Sequence, residues 1–580
     1  MVNFHRLSHR LLASVLLLAL AFAVVARAAE GVVALPPFIV EEATKGPPWR
    51  YAEIPGFEIL SRCNDQMTRE LAAAHYRLHR LLALMLPESL QVGFSVPKKL
   101  IFYDASLQPA ASQEVIADML SRQPKDAAPP ADSFPLGARG IRFQPAQRRY
   151  SFMPNLRLWD TDAMAVFAIV EPGDTNFDQM ALTSDYVAYL LRNRVPALPA
   201  WFVNAILSLH ARVEFRGDEL ILPAATWVSD DATAALKKDP KTATAALPLR
   251  DLLTGAVPGR DEEAGARLRL WTSEATMFVR WALDGSDPAR HEALWKWVER
   301  SSAAGTSDAL FQECFGADFA AIQEQLTAYL PVAARKSLRL HLAESAKPPA
   351  LLLHDAREEE IDRIKGDWER LEIGFVRNKI PEVVPKYLEQ ARHTLMHAYN
   401  DGERDPGLQA VLGLCEVDAG DDAGARGYLE AAAAGGVVRP RAWYEVARLR
   451  FADHRAHPEG PDGKLSIAQA ADVLTPLFKA RSERPPLGEV YELIAAVWLH
   501  CAVRPARGHL AVIDEGVRLF PRRVELVYEA AELFAQNGFA PETATLVELG
   551  MRIAPDEATR AQFARLLPAA LGAAVAAPKD

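Results

Sequence analysis

The chain has 580 residues, with 65 Lys or Arg against 75 Asp or Glu, a formal net charge of −10 and 24% charged residues. That length exceeds one hydrophobic core and, at roughly 100 to 200 residues per domain, predicts two to four units. The acidic, well-mixed charge argues against nucleic acid as a partner, and Cys63, Cys314, Cys415 and Cys501, without CxxC spacing, exclude a zinc ribbon or dithiol redox motif.

The N-terminus carries a basic stretch, 5–10, then an apolar or small run, 11–25, ending in Ala26-Arg27-Ala28. The run is shorter than the roughly 20 apolar residues of a transmembrane helix and ends in the small-x-small pattern that signal peptidase cuts. Residues 1–28 are therefore expected to be a signal peptide, with the mature chain starting at Ala29 in an extracytoplasmic, periplasmic or secreted, location. No Cys follows the run to carry a lipid anchor. Cleavage removes Arg6, Arg10 and Arg27 and no acid, taking the net charge to −13. No later stretch is long and apolar enough to span a membrane. Export permits disulfides, but Cys415 and Cys501 sit in apolar helical patterns and read as small buried hydrophobes.

Residues 29–48, with Pro36-Pro37 and Pro47-Pro48, predict an extended lead-in. An α+β pattern follows: a strand at 57–60, a helix over 65–86 and a strand at 99–103. A Pro- and Ala-rich loop is expected at 123–137, a hairpin over 140–152 and an apolar strand at 163–170. Helices over 178–194 and 199–212 flank a turn at Pro196, and a hairpin over 213–222 turns at Gly217-Asp218. The remainder to about 330 reads as helical.

Beyond Lys347-Pro348-Pro349 every predicted element is a helix, and the helices pair with a period of roughly 34 to 42 residues. The pairs are 359–375 with 381–398, 407–418 with 422–434, 441–451 with 466–480, 488–501 with 506–520, and 523–537 with 541–553. Gly420 and Gly538 fall at helix C-caps, and Pro521 and Pro555 follow second helices. The segments 420–429 and 538–544 echo the small-residue positions of tetratricopeptide repeats, which this region resembles. An all-α solenoid presenting a concave surface to a protein or peptide partner is expected.

Between 181 and 212 the chain reads ALTSDYVAYLLRNRVPALPAWFVNAILSLHAR. This resembles the gluzincin-type, peptidase-MA zinc metallopeptidases, in which H-E-x-x-H on one helix precedes P-x-W-[LF]-x-E-G-[LI]-A on the next. Pro199, Trp201, Phe202 and Ile206 carry the second half. That chemistry needs two His one turn apart, a Glu base and a Glu ligand from the next helix. The resemblance places those positions on Ser184, Asp185, Ala188 and Asn204, with Ala205 in place of Gly. None holds the required residue, and no H-E-x-x-H occurs anywhere. Zinc and catalysis are thus expected to be lost, with no metal or other cofactor predicted. Asp185, Asn204 and Trp201 are left as candidate cleft residues, with a hydrogen bond between Asp185 and Asn204 expected. Weaker collinear likeness runs through 249–255, 270–283 and 315–318.

Other candidates have bland readings. The pairs His75/His79, His393/His397 and His454/His457 lack an indicated third ligand and read as surface or packing residues. Ser184, Ser208 and His210, with Asp185, suggest a triad but lack a G-x-S-x-G elbow. Trp201, Trp227, Trp271, Trp281, Trp295 and Trp297 could line a groove but suit core packing better. Glu358-Glu359-Glu360 suits a solvated helix N-terminus.

The expected architecture is an α+β metallopeptidase-like domain at 49–345, a linker at 346–356 and tetratricopeptide-like repeats at 357–575. The expected role is a non-catalytic exported binding component. An active hydrolase with a non-standard site and a structural envelope scaffold are the alternatives.

Overall fold

The computed structural model describes residues 32–35, 47–86, 93–104, 106, 149–152, 155–170, 184–216, 219–225, 227, 247–255, 257–258, 264–284, 287–341, 350–377 and 380–567. The expected signal peptide, the loop at 123–137 and the turn at Gly217-Asp218 lie outside them.

A mixed sheet forms the N-terminal region. Its strands are β2 (Arg50–Ile54), β3 (Phe57–Ser61), β4 (Lys98–Asp104), β6 (Asn155–Trp159), β7 (Met164–Val170) and β11 (His354–Asp355), in the order β11-β2-β3-β4-β7-β6. Pairing is parallel at β3/β4 and β4/β7 and antiparallel at β11/β2, β2/β3 and β6/β7. All seven residues of β7, MAVFAIV, are buried, as a central strand covered on both faces requires. Strands β1 (Val32–Leu35) and β5 (Arg149–Phe152) form a separate parallel pair. The strand expected from the hairpin at 140–152 is thus partnered by the segment read as a lead-in. A third sheet joins β8 (Glu214–Arg216), β9 (Glu219–Leu222) and β10 (Leu338–His341).

Eight helices accompany these strands among the described residues: α1 (Asp65–Met85), α2 (Ser184–Arg192), α3 (Ala200–His210), α4 (Leu249–Thr254), α5 (Ala264–Leu283), α6 (Pro288–Ala304), α7 (Asp308–Phe315) and α8 (Phe319–Ala333). They build one core with a single face of the sheet. Ile59, Leu100, Phe102, Val166 and Ala168 pack there with Tyr186, Phe202, Phe278 and Trp281.

The C-terminal region is a run of helical hairpins: α9 (Glu358–Arg377) with α10 (Val384–Asn400), α11 (Pro406–Ala419) with α12 (Asp422–Ala434), α13 (Pro440–Ala456) with α14 (Ile467–Ser482), α15 (Gly488–His500) with α16 (Arg507–Leu519), and α17 (Val524–Gln536) with α18 (Ala540–Ile553). A short α19 (Glu557–Ala564) ends the array and buries Phe563. Local signals set these boundaries. Asp405 accepts a hydrogen bond from the Leu408 N–H ahead of Pro406, Gly420 closes α11 at φ 81°, and Ser466 with Gln469 forms a capping box.

The two regions share a core. The opposite face of the sheet, with Tyr51, Leu60, Ile101, Tyr103, Leu156, Phe167 and Ile169, packs on Ile361, Ile364, Trp368 and Leu371 of α9. Alternate strand residues therefore serve different partners, following the two-residue period of a strand. The expected linker, 346–356, contains β11, which extends the sheet beside β2.

Candidate functional site

The region that resembles a peptidase site is mostly packing. Ser184 opens α2, and the side chains of Ser184 and Asp185 lie outside the described residues. Ala188 is half-buried. Asn204 donates from Nδ2 to the carbonyl of Ala200, 2.8 Å away in its own helix. Trp201 is 3% exposed and packs edge-on against Phe202 and Phe278, so its ring belongs to the core rather than to a cleft wall. Trp271, Trp281 and Trp297 are buried in the same cluster, with Trp227 and Trp295 against it.

The histidines separate in the same way. His210 is buried without a hydrogen-bond partner, and burial lowers its pKa to about 4; Ser208 instead accepts from Arg212 at 2.6 Å. His75 is likewise pushed down to about 4 by burial, with Nδ1 at 3.0 Å from the carbonyl of Leu71. The His79 side chain lies outside the described residues. His454 pairs with Asp472 at 3.0 Å, His393 is exposed, and His397 Nδ1 lies 2.7 Å from Asp362 Oδ2. All four cysteines are free, with Cys63, Cys415 and Cys501 buried.

The polar chemistry concentrates at the junction between the sheet and the repeats. Asp160 and Asp162, in the turn between β6 and β7, and Lys99 of β4 meet residues from the first three hairpins. Asp367 of α9 is fully buried and accepts from Lys99, from Arg439 at 3.0 Å and from Arg370 at 2.9 Å. Arg370, 1% exposed, also reaches Asp160 at 2.6 Å and Asp418 at 2.9 Å. Arg441 bridges the same two carboxylates at 3.1 and 2.5 Å, and its backbone N–H donates to Asp162.

Burial alone would raise the Asp367 carboxyl, but Arg439, Lys99 and Arg370 hold it well below the usual carboxylate range. Asp160 is held low against its own burial by Arg370, Arg439 and Arg441. Asp162 moves the other way, to about 6, because burial, reinforced by the Asp160 charge, outweighs Arg439. Each buried charge thus has at least one partner of opposite sign, and most have several, the condition under which such a cluster is tolerated.

Above this network opens a cavity of about 770 Å³. The sheet supplies Tyr51, Glu58 and Lys99; the repeats supply Arg363, the 402–405 loop and Arg439. The entrances to α9, α11 and α13 all border it, with Arg357, Asp405 and Arg439 preceding their first turns. Charges in the wall are paired across the junction, as where Arg363 donates to Glu58 at 3.0 Å. Val438 stands in the lining and is 56% exposed. The arrangement offers charged groups of both signs and a few apolar contacts to an extended segment.

None of these junction residues stood out in the sequence. The available signals were Asp367 and Arg370 interleaved with Trp368 and Leu371 on the buried face of α9, the Arg439-Pro440-Arg441 triplet, and Asp160-Thr161-Asp162 beside an apolar strand.

No protein-family model matches the chain, and no curated protein matches it. The peptidase resemblance therefore rests on the quoted residues alone. Among solved structures, one of Pseudomonas aeruginosa PilF is similar at 12% identity and a TM-score of 0.26, covering 38% of this chain and 92% of that chain.

Proposed function

We propose that this chain is a binding component whose helical repeats and sheet together seat a protein or peptide segment in the junction cavity. The observation that carries this reading is that cavity itself. It draws its walls from both regions, and the buried pairs beneath, Lys99 with Asp367 and Asp160 with Arg370 and Arg441, hold those walls together. A site held by a preformed scaffold loses less entropy on binding than one assembled around its ligand. Helical hairpins in series are the usual support for such surfaces.

On this reading the metallopeptidase-like lineage survives as architecture without catalysis, and the protein acts outside the cytoplasm. Support for the first comes from the substituted positions 184, 185, 188 and 204, and for the second from the pattern of 1–28. No helix among the described residues is long and apolar enough to cross a membrane.

The test places a photo-crosslinking amino acid at Val438 in the full chain. A discrete crosslinked partner is expected, and it should disappear when Arg404→Glu reverses a charge in the lining. A crosslinker at Val332, 47% exposed on α8, serves as the control. Equal yields at the two positions would refute the cavity as the binding site.

A further inference from the structure

The His393/His397 pair lacks a third ligand in sequence, but the first hairpin brings one from elsewhere. Glu358 and Asp362 lie one turn apart at the start of α9, and His397 lies in the last turn of the antiparallel α10. One ligand atom from each falls within 4.8 Å of the other two. His397 Nδ1 is 2.7 Å from Asp362 Oδ2, and Nε2 is 4.0 Å from Asp401 Oδ2, just past the end of α10. Asp362 is largely buried, while Glu358 and His397 are exposed, so the group is anchored on one side and open to solvent on the other.

We propose that Glu358, Asp362 and His397 form a binding site for a divalent transition-metal ion, with water completing the coordination. Two carboxylates and an imidazole form a hard-to-borderline donor set; the nitrogen favours zinc, cobalt or nickel over magnesium or calcium. Tetrahedral coordination at about 2.0 to 2.1 Å spaces ligand atoms about 3.3 Å apart. His397 and Asp362, hydrogen-bonded at 2.7 Å, need only separate by less than ~1 Å to admit the ion, and the other atoms need only close in.

Charge supports the assignment. Three carboxyls, those of Asp362, Asp401 and Glu358, stand around one imidazole. Among the described residues Glu358 forms no ion pair, and Asp401 forms none beyond its approach to His397. A dication would neutralise carboxylates that the described residues leave largely without cationic partners. Its effect would be local to the cavity rim. Binding fastens the first turn of α9 to the last turn of α10, and Asp401 leads directly into Gly402, Glu403, Arg404 and Asp405 of the cavity wall. This site is independent of what the cavity binds.

The experiment uses the purified full chain, freed of metal with a chelator. Zn²⁺ titration by calorimetry and Co²⁺ titration by visible absorption should each give one equivalent. His397→Gln should weaken binding by about 100-fold or more and Glu358→Gln by at least about tenfold, since even outer-shell losses cost roughly 10- to 100-fold. His393→Gln, one turn away and outside the cluster, should leave it unchanged. Far-UV circular dichroism checks that the variants fold; at these exposed positions they should. Zn²⁺ should also increase amide-exchange protection of 401–405. Absence of a stoichiometric site, or one unaffected by both His397→Gln and Glu358→Gln, would overturn the proposal.

Discussion

Replacing Asp367 by Asn tests whether the junction network fixes the two regions together. The carboxylate is fully buried against Lys99, Arg439 and Arg370, and the substitution keeps its shape while removing its charge. Arg370 retains Asp160 and Asp418, and Arg439 retains Asp162, but Lys99 loses the only acceptor it has in this cluster. Removing one partner of a buried pair typically costs about 3 to 5 kcal/mol, because the remaining charge stays desolvated. With a urea m-value of about 1 to 3 kcal/mol/M or above, the unfolding midpoint should fall by on the order of 1 M or more. Trp368, packed on Phe167 at the junction, provides a fluorescence probe to set beside circular dichroism.

The double variant Lys99→Met/Asp367→Asn should recover at least about 1 kcal/mol relative to Asp367→Asn, since the stranded ammonium is gone. The pH dependence has a defined sign. Asp367 is held below its unfolded value, so its contribution is complete above about pH 4 to 5 and is lost as pH falls through its depressed pKa. The deficit of the Asn variant should therefore be constant from pH 5 to 8. An unchanged midpoint, or strictly additive single and double variants, would refute the account.

Three further outcomes are expected. Glu369, buried in α9, has a pKa raised by burial to about 7; the group protonates on folding, so stability should decline as pH rises from about 4.5 through 7. Glu369→Gln should remove up to about 3 kcal/mol of that decline, read from urea midpoints across the pH range, and should change nothing below pH 4. Gly516→Ala would place Cβ 2.6 to 2.7 Å from Cδ1, Cβ and Cγ of Tyr491, whose hydroxyl is tied to Glu515, and should destabilise by about 1 to 3 kcal/mol. Gly508→Ala, with nothing within 4 Å of the new methyl, should be neutral or slightly stabilising in the same thermal melts. Finally, a fragment of residues 356–575 should aggregate or bind a hydrophobic dye, because Ile361, Ile364, Trp368 and Leu371 lose the sheet that covers them. A monomeric, dye-negative fragment would show that α9 does not need that cover.

Legibility divided along the range of the contacts. The five helical hairpins were readable because 3.6-residue periodicity and caps such as Gly420 and Ser466 act within a few residues. The apolar runs within 99–103, after Lys99, and over 163–170 likewise marked β4 and β7. Strands β2, β6 and β11 were not separately legible. They are short, and β6 and β11 are edge strands that depend on a neighbour for their hydrogen bonds. Trp201 and the motif around it suggested a cleft, but an aromatic side chain in such a motif is equally suited to a core, and Phe202 and Phe278 decide the matter.

The sequence by itself determined the paired helices of the repeats, the apolar strands β4 and β7, the change of architecture near residue 347, and the absence of any H-E-x-x-H motif. Only the tertiary structure decided that α9, read as the opening helix of the repeats, also covers one face of the sheet. It alone brought Lys99, Asp160, Asp367 and Arg439 into one network, and Glu358, Asp362 and His397 into one cluster. Those groups are dozens to hundreds of residues apart, and periodicity records which face of an element is buried, not which distant element buries it.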